Sequence, residues 1–447
     1  MSLTTGPILP TLLRLALPNV LAMSMTVLVG IAETRYVGLL GTAPLAAMAL
    51  VFPFAMLVQM MSAGAMGGGV SSAVSRALGA GDAERARTLA LHAVVIGLLA
   101  GAMTSLLLIL FGSTLYRFLG GSGEVLAEAS RYSGVLFSGA VLIWLVNTLA
   151  SILRGTGDMR VPSIALLVIA IVQIVLGGAL GLGIGPVPRL GMVGVALGQI
   201  VAMGAGVVFL LWWLVSGNAR LRLGWRGVKL RGELFADILK VGALACLSPV
   251  QSVLTVLIFT GLIARLGVAP LAGYGIGQRL EFLLIPIAFG IGVASVPMVG
   301  MAIGAGDFAR ARRVAWTAGA VSAVNLGLIG LLVSFAPDLW AGLFSNDPIV
   351  LDYARQYLRW AGPGFALFGL GLTLYFASQG SGRVLGPVLA ATLRLAVVAG
   401  AGTWLLSRNA PAWQFFALVG IAMGIYGLAT AASIRLTRWG PRPTAPS

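Results

Sequence analysis

Long apolar stretches recur along the whole chain, and they constrain the fold more than any other feature. Each has about 20 residues or more, which is enough for a helix to cross the ~30 Å hydrocarbon core of a bilayer. Only 9% of the residues are charged, whereas a soluble globular protein has roughly 25%. We therefore expect an all-α polytopic membrane protein.

The lengths of these stretches, and the residues that interrupt them, predict twelve transmembrane helices. The first stretch continues to about Val37 without a convincing cleavage site, so we interpret it as a retained helix and not as a signal peptide. The predicted helices lie near residues 12–37, 44–72, 88–111, 132–153, 161–182, 190–215, 238–264, 270–302, 314–336, 354–378, 384–406 and 411–434. The connections between them are short, so no sizeable soluble domain is expected.

Three pairs of similar strings indicate that the second half of the chain repeats the first. LGAGDAERAR begins at Leu78 and IGAGDFARARR begins at Ile303, an offset of 225 (303 − 78). RGTGDMRVP and QGSGRVLGP align at the same offset, and LGTAPLA aligns with LGVAPLA at 226 (266 − 40). Each copy holds six predicted helices, an even number, so both copies insert in the same orientation. Parallel repeats of this kind are common in transporters.

The repeat predicts the organisation of the chain. We expect an N-terminal six-helix lobe at 1–215, a cytoplasmic linker at 216–236 and a C-terminal six-helix lobe at 237–447, with a central cleft between the two lobes. The linker is basic, and we interpret it as an interfacial connection held by anionic lipid headgroups.

The distribution of charge predicts the orientation in the membrane. With twelve helices both termini lie on the same side, and that side carries 19 of the 29 Lys and Arg residues, whereas the opposite side carries 8. Cytoplasmic loops are enriched in Lys and Arg, so both termini are predicted to be cytoplasmic. The net charge of +16 therefore reports topology and contact with membrane lipids, and no nucleic-acid partner is expected.

The chain is unsuited to catalysis. It has one cysteine and one histidine, which excludes an intramolecular disulfide and the common zinc sites. The sequence also lacks GxSxG, a Walker loop and HExxH. We expect no enzymatic activity, no metal and no cofactor.

The order and spacing of the motifs resemble the multidrug and toxic compound extrusion (MATE) family. The resemblance rests on the six-plus-six organisation, on GAGD-x-x-RAR after the second and eighth helices, and on AETRYVGLLGTAPLAA at the end of the first. It covers residues 8–435. It implies a monomeric exporter in the inner membrane that exchanges cationic or amphipathic small molecules for protons or sodium by rocking two lobes around the cleft.

The chain departs from this family where a coupling ion would bind. The aspartate that members commonly have in the first helix is Glu33 here, so the carboxyl group is retained. Gln173 and Gly177 stand where many prokaryotic members have Asn and Asp, and Gln251 stands where the sodium-coupled branch has Glu. The tenth predicted helix, 354–378, contains no acid. The resemblance therefore implies coupling to protons and not to sodium.

Two carboxyl groups, those of Glu33 and Glu281, fall inside the predicted helices. A charge there costs several kcal/mol unless it is paired or hydrated, so an intramembrane acid is a functional candidate. We predict both as ion-coupling residues, with an ion pair that locks helices together as the alternative. For Glu281 this alternative is equally strong, because Arg279 and Arg394 lie in the same lobe and suit a structural or gating network.

Other polar residues inside the predicted helices are candidates for lining a substrate site, with ordinary buried hydrogen bonding as the alternative. Either arginine can also pair with a negative group of a substrate. The candidate substrate-binding residues are Tyr36, Gln59, Asn147, Gln173, Gln251, Tyr375, Arg279 and Arg394.

A lipid-linked precursor flippase of the same general architecture is the alternative function. Such a protein is expected to present a cationic cleft to a pyrophosphate group. Only Arg279 and Arg394 supply positive charge in the interior of the apolar stretches, away from their ends, so the exporter is the favoured hypothesis.

Overall fold

The structure, a computed structural model, describes residues 3–224 and 229–440. Part of the basic linker, 225–228, lies outside the described residues, so its interpretation as a lipid-held connection stays a prediction. Within the described ranges the chain forms seventeen α-helices and one π-helical segment, Met60–Met66. The α-helices are α1 Ile8–Leu40, α2 Thr42–Gln59, α3 Gly67–Gly79, α4 Ala83–Phe118, α5 Gly123–Ser138, α6 Ala140–Gly155, α7 Arg160–Leu182, α8 Met192–Val215, α9 Gly232–Ala245, α10 Leu247–Ala264, α11 Val268–Gly304, α12 Phe308–Phe335, α13 Asp338–Ala341, α14 Pro348–Ala361, α15 Gly364–Ser381, α16 Leu385–Ser407 and α17 Ala412–Leu436.

These helices are long and apolar enough for a polytopic membrane protein. In the described part of the chain, ten segments can cross a membrane by length and composition, or up to twelve if each of two bent helix pairs is one span. One of these segments, Thr42–Gly79, runs without a break from α2 through the π-helical segment to α3. The predicted fold class is confirmed, and the predicted twelve spans are the upper limit of this range.

The two bent pairs occupy equivalent places in the two repeats. The bend between α5 and α6 is 44°, and the bend between α14 and α15 is 56°. Pro363 explains the second break, because proline lacks an N–H and disfavours a helical residue before it. At the first break, a Cβ on Gly139 would lie 2.6 Å from Ile200 Cγ1, so glycine lets α8 pack closely. The sequence predicted one continuous helix over each region, and this prediction is wrong at both breaks.

The repeated GAGD string folds into the same turn in both halves. Gly81 has φ 79° and Gly306 has φ 77°, in the left-handed region that glycine adopts without strain. The carboxylates of Asp82 and Asp307 each accept a hydrogen bond, at 2.8 Å, from the backbone N–H three residues later. Each aspartate therefore caps the helix that follows. The string occurs twice because each copy ends one helix and starts the next.

The described residues form two compact units whose boundaries fall inside helices. One unit is Leu21–Gly242, which we call the N-unit; the other is Met1–Val20 with Ala243–Ser447, which we call the C-unit. Helix α1 therefore begins in the C-unit and ends in the N-unit, and α9 begins in the N-unit and ends in the C-unit. The lobe limits predicted from the sequence differ from this division, and they stay a prediction.

The first arginine after each repeated turn bonds to one of the two regions at which the chain passes from one unit to the other, α9 or the residues before α1. In the N-unit, Arg85 forms an ion pair with Asp237 of α9. In the C-unit, the equivalent Arg310 donates hydrogen bonds to the carbonyl oxygens of Leu3 at 3.1 Å and Gly6 at 2.5 Å, just before α1. Each turn thus anchors the start of the first helix of the other repeat.

Aromatic side chains form part of the C-unit core. Tyr274 and Tyr357 pack edge to face with ring centroids 5.4 Å apart, and Tyr357 and Phe416 do the same at 5.4 Å. All three are buried. They provide an apolar wall beside the polar side chains of α11 and α16, so that charges there interact through a medium of low polarity.

Candidate functional site

The first polar site lies in the N-unit, where α1 and α7 bring Glu33 and Gln173 together. Gln173 Nε2 donates a hydrogen bond to Glu33 Oε1 at 2.7 Å, and the two residues are only 7% and 6% exposed. Among residues 3–224 and 229–440, no basic group lies within the 4.0 Å of an ion pair with Glu33. The hydrogen-bond donor to this intramembrane carboxyl group is thus a neutral amide.

Two tyrosines flank this pair. Tyr36, one turn after Glu33, donates a hydrogen bond to the carbonyl oxygen of Ile174 at 3.1 Å. A Cβ on Gly178 would lie 3.2 Å from Tyr36 Cζ, so the glycine leaves room for the ring against α7. Tyr132 of α5 is buried and interacts electrostatically with Glu33. Three helices therefore contribute to the surroundings of this carboxyl group.

A second polar cluster in the N-unit adjoins the π-helical segment. Asn147 Nδ2 donates hydrogen bonds to Gln59 Oε1 at 3.3 Å and to Ser62 Oγ at 2.8 Å. Ser62 donates in turn to the carbonyl oxygen of Val58 at 2.8 Å. Short π-helical turns occur frequently at functional sites. The structure brings the candidates Gln59 and Asn147 together, and it adds Ser62, a small hydroxyl that gave no signal within its apolar stretch.

In the C-unit, α11, α14 and α16 bring Glu281, Tyr357 and Arg394 together. The Tyr357 hydroxyl donates a hydrogen bond to Glu281 Oε1. Arg394 interacts electrostatically with Glu281, although the described residues contain no ion pair between them at 4.0 Å or less. Arg394 Cζ lies 5.6 Å from the ring centroids of both Phe368 and Tyr426. We call these five residues the C-unit charge cluster.

Arg279 is not part of the C-unit charge cluster. Its side chain is exposed, and its Cζ lies 5.2 Å from the ring centroid of Phe344. It is only two residues from Glu281, but residues two apart on a helix project in different directions. Of the two arginines that the sequence placed inside predicted helices, the structure groups Arg394 with the acid.

The other two C-unit candidates make separate contacts. Gln251 Nε2 of α10 donates a hydrogen bond to Thr392 Oγ1 of α16 at 2.7 Å. The Tyr375 hydroxyl donates to the carbonyl oxygen of Ala245 at 3.0 Å, beside the break between α9 and α10. Gln251 therefore links α10 to α16, whereas Tyr375 supports a helix end.

Sequence reasoning missed the tyrosines that accompany the two carboxyl groups. Tyr132 and Tyr357 are 225 residues apart (357 − 132), the offset of the repeated turns. Each interacts with the carboxyl group of its own unit, Glu33 in one case and Glu281 in the other. The repeat offset was a signal that could have found this pair.

Two repeats of apolar helices, each unit with a carboxyl group inside a span, define a membrane transport protein. The chain belongs to the MatE family, whose model matches residues 18–178 and 245–405, one stretch in each repeat. The resemblance inferred from the motifs is thereby confirmed. Members of this family are transporters and not enzymes, so the chain is a multi-pass membrane transporter with small-molecule substrates.

Individual relatives agree with this assignment. The chain is 26% identical over 381 residues to the probable multidrug resistance protein NorM of Thermotoga maritima, covering 85% of this chain and 81% of that protein. It is also 26% identical over 356 residues to the FAD transporter of Shewanella oneidensis, covering 80% and 78%. Among solved structures, a MOP superfamily transporter from Pyrococcus furiosus matches with a TM-score of 0.90 at 23% identity, over 97% of this chain and 96% of that one.

Proposed function

We propose that this chain is a proton-coupled antiporter that exports cationic or amphipathic compounds across the inner membrane as a monomer, with both termini cytoplasmic. The observation that carries the proposal is the position of Glu33 and its hydrogen-bond partner. Its carboxyl group lies inside the first span, and the side chain bonded to it is the neutral amide of Gln173. A carboxylate fixed in an ion pair would resist a change of protonation, whereas this one is free to gain and lose a proton.

Competition at Glu33 links the proton to the substrate. When ionised, the carboxylate attracts a cationic compound. When protonated, it is neutral and the attraction is lost, so proton uptake favours release of the compound. The Gln173 amide orients the carboxyl group. Alternating access follows when the two forms favour different arrangements of the protein, because a ligand shifts such an equilibrium only through its differential affinity for the two states.

The proton gradient is large enough to drive this exchange. A tenfold gradient supplies about 1.4 kcal/mol per proton, and 100 mV adds about 2.3 kcal/mol per charge. If one proton enters for each neutral molecule exported, the sum sustains a gradient of several hundredfold, since about 1.4 kcal/mol corresponds to a factor of ten. A cationic substrate moves outward against the potential and loses the second contribution.

Substrate contacts are proposed for the polar candidates of both units. Within each unit the observed contacts support some more than others. Gln59 and Asn147 form one polar cluster, and Gln251 bonds to the Thr392 hydroxyl, whereas Tyr36 and Tyr375 bond to backbone carbonyls. The proposed set remains Tyr36, Gln59, Asn147, Gln173, Gln251, Tyr375, Arg279 and Arg394.

Protons suit these sites better than sodium does. A hard cation is held by several oxygen ligands. In the part of the chain that the structure describes, no group of three or more His, Cys, Asp or Glu residues gathers to hold a metal ion. Glu33 is accompanied by an amide donor and Glu281 by a phenol donor, and each donor occupies one of the two oxygens of its carboxyl group.

Transport by the purified protein in liposomes tests the proposal. A pH gradient and a sodium gradient are imposed separately, with the membrane potential clamped, and efflux of the cationic dye ethidium is followed. We expect the pH gradient to drive efflux and the sodium gradient alone to give none. Sodium-driven efflux at uniform pH would overturn proton coupling. If a polyprenyl diphosphate moves and the dye does not, the protein is the alternative lipid-linked precursor flippase.

A further inference from the structure

Arg394 is a basic side chain that faces the interior of the C-unit. Ala391 and Val398, one turn before and after it on α16, are buried at 6% and 2% exposure. Residues three and four apart share a helix face, so Arg394 belongs to this buried stripe. Leu389 and Leu393, which are 56% and 47% exposed, define the opposite, lipid-facing side. The guanidinium therefore points into the unit and not into lipid.

The neighbours of Arg394 hold the guanidinium without using its donors. Phe368 and Tyr426 lie at equal distances of 5.6 Å from Cζ. Aromatic rings attract the guanidinium, but they do not satisfy its five N–H groups as oxygen acceptors do. Within residues 3–224 and 229–440, no hydrogen bond or ion pair satisfies Arg394, and the residue is half-buried.

Glu281, the acid of the cluster, does not occupy the N–H donors of Arg394. Glu281 interacts electrostatically with Arg394, but its Oε1 accepts a hydrogen bond from Tyr357. An arginine whose role is to neutralise a carboxylate typically binds it through two parallel N–H···O bonds. Here the acid and the base share a cluster while the guanidinium fork remains open.

We propose that Arg394 is an anion subsite that binds the carboxylate or phosphate group of an exported compound. It selects amphipathic substrates that carry an acidic group, zwitterions included. The inference rests on the proposed exporter function, because it names a substrate class for it. A planar fork matches the geometry of both acidic groups. Its two aromatic neighbours keep the guanidinium in place before the substrate arrives.

Rhodamine B and its ethyl ester provide a matched pair of probes. Both have the same cationic ring system, and only rhodamine B has a free carboxylate. Binding of each dye to the purified full-length protein is measured by fluorescence anisotropy in a neutral detergent. We expect Arg394→Gln to weaken binding of rhodamine B about tenfold, since a charge-assisted hydrogen bond is lost, and to leave the ester within about twofold.

Two further variants separate charge from geometry. Arg394→Lys keeps the charge but loses the fork, so it should weaken rhodamine B less than Arg394→Gln does. It also tests the proposal if the glutamine variant does not fold. Arg408→Gln is the matched control, because Arg408 directly follows the same helix and also lies over an aromatic ring, Trp404, at 4.9 Å. This control variant should bind both dyes as the parent protein does.

Several results would overturn the anion subsite. If Arg394→Gln weakens binding of rhodamine B and of its ester equally, Arg394 is a structural partner of Glu281. If it weakens binding of neither dye, Arg394 takes no part in binding. Repeating the titration with added phosphatidylglycerol distinguishes a lipid phosphate from the substrate. If that lipid abolishes the dependence on Arg394, the site belongs to lipid. Failure of a pH gradient to drive efflux of the ester, with Arg394-dependent binding intact, would count against proton-coupled export alone.

Discussion

The N-unit and the C-unit keep the same framework and differ in where they place an acid. The repeated turn, the broken span and the tyrosine of that span occur in both. At the offset of 226 that relates the first helices, the counterpart of Glu33 is Phe259 (33 + 226). The positions that correspond to Glu281 are Ala55 and Met56 (281 − 226 and 281 − 225). The framework is thus a property of the repeat, and the charge is a property of each unit.

The surroundings of the two acids differ in a way that suits different tasks. Glu33 is bonded to the amide of Gln173 and has a neutral environment. Glu281 is bonded to the phenol of Tyr357 and lies in the field of Arg394. We infer that the N-unit acid exchanges a proton against a cation, whereas the C-unit acid balances the charge of Arg394.

The largest expected effect concerns the orientation of the two turns. If the repeats are parallel, Ala80→Cys and Ala305→Cys, each in a Cys246→Ser background, should react with an impermeant thiol reagent only from the cytoplasmic side. Labelling is measured in sealed right-side-out cells and in inverted vesicles. A turn that reacts from outside would show that the repeats do not share an orientation.

The next effect is on coupling. Glu33→Gln keeps nearly the same shape but cannot bind and release a proton, so we expect pH-driven efflux to fall at least about tenfold. The initial efflux rate is measured at matched protein level in liposomes. Glu33→Asp should keep much of the activity, and Glu124→Gln, an exposed glutamate at the start of α5, should keep all of it. An unchanged pH response in Glu33→Gln would move the coupling site to Glu281.

A smaller effect should distinguish the two equivalent tyrosines. Tyr357→Phe removes a hydrogen bond to Glu281 that a carboxyl group inside a span cannot easily replace, and we expect efflux to fall about threefold. Tyr132→Phe should change efflux less, because Glu33 accepts its hydrogen bond from Gln173 and not from Tyr132. The two variants differ by one oxygen each from the parent, so comparing their rates is a matched test. A larger loss for Tyr132→Phe would reverse the assigned roles.

The smallest effect should be the same in both halves. Asp82→Ala and Asp307→Ala each remove a helix cap with a 2.8 Å hydrogen bond, and each should destabilise the protein by about 1 kcal/mol. Thermal unfolding in detergent gives the comparison. Asp352→Ala, at an exposed position inside α14, controls for loss of an acid. Clearly unequal shifts in the unfolding temperature would show that the two caps contribute differently to stability.

Much of the fold could be predicted because hydrophobic length and internal repetition are written directly in the sequence. The two breaks could not, since a bent span has the same hydropathy as a straight one. Glu33 stood out as an acid in an apolar stretch. Tyr132 and Tyr357 did not, because a tyrosine in such a stretch looks like ordinary core packing. That residues 1–20 belong with the second half depends on contacts far apart in the chain, which local patterns do not report.

The crossing of α1 and α9 between units has a consequence for biosynthesis. The segment around Leu3 leaves the ribosome first, yet Arg310, which binds its carbonyl oxygen, follows 307 residues later. At about 5–20 residues per second, this delay lasts tens of seconds. The N-unit in turn lacks the partner of Arg85 until α9 has been made. Insertion can proceed span by span, but the N-unit cannot complete its contacts until α9 has been made. The segment around Leu3, made first, waits for the second half of the chain.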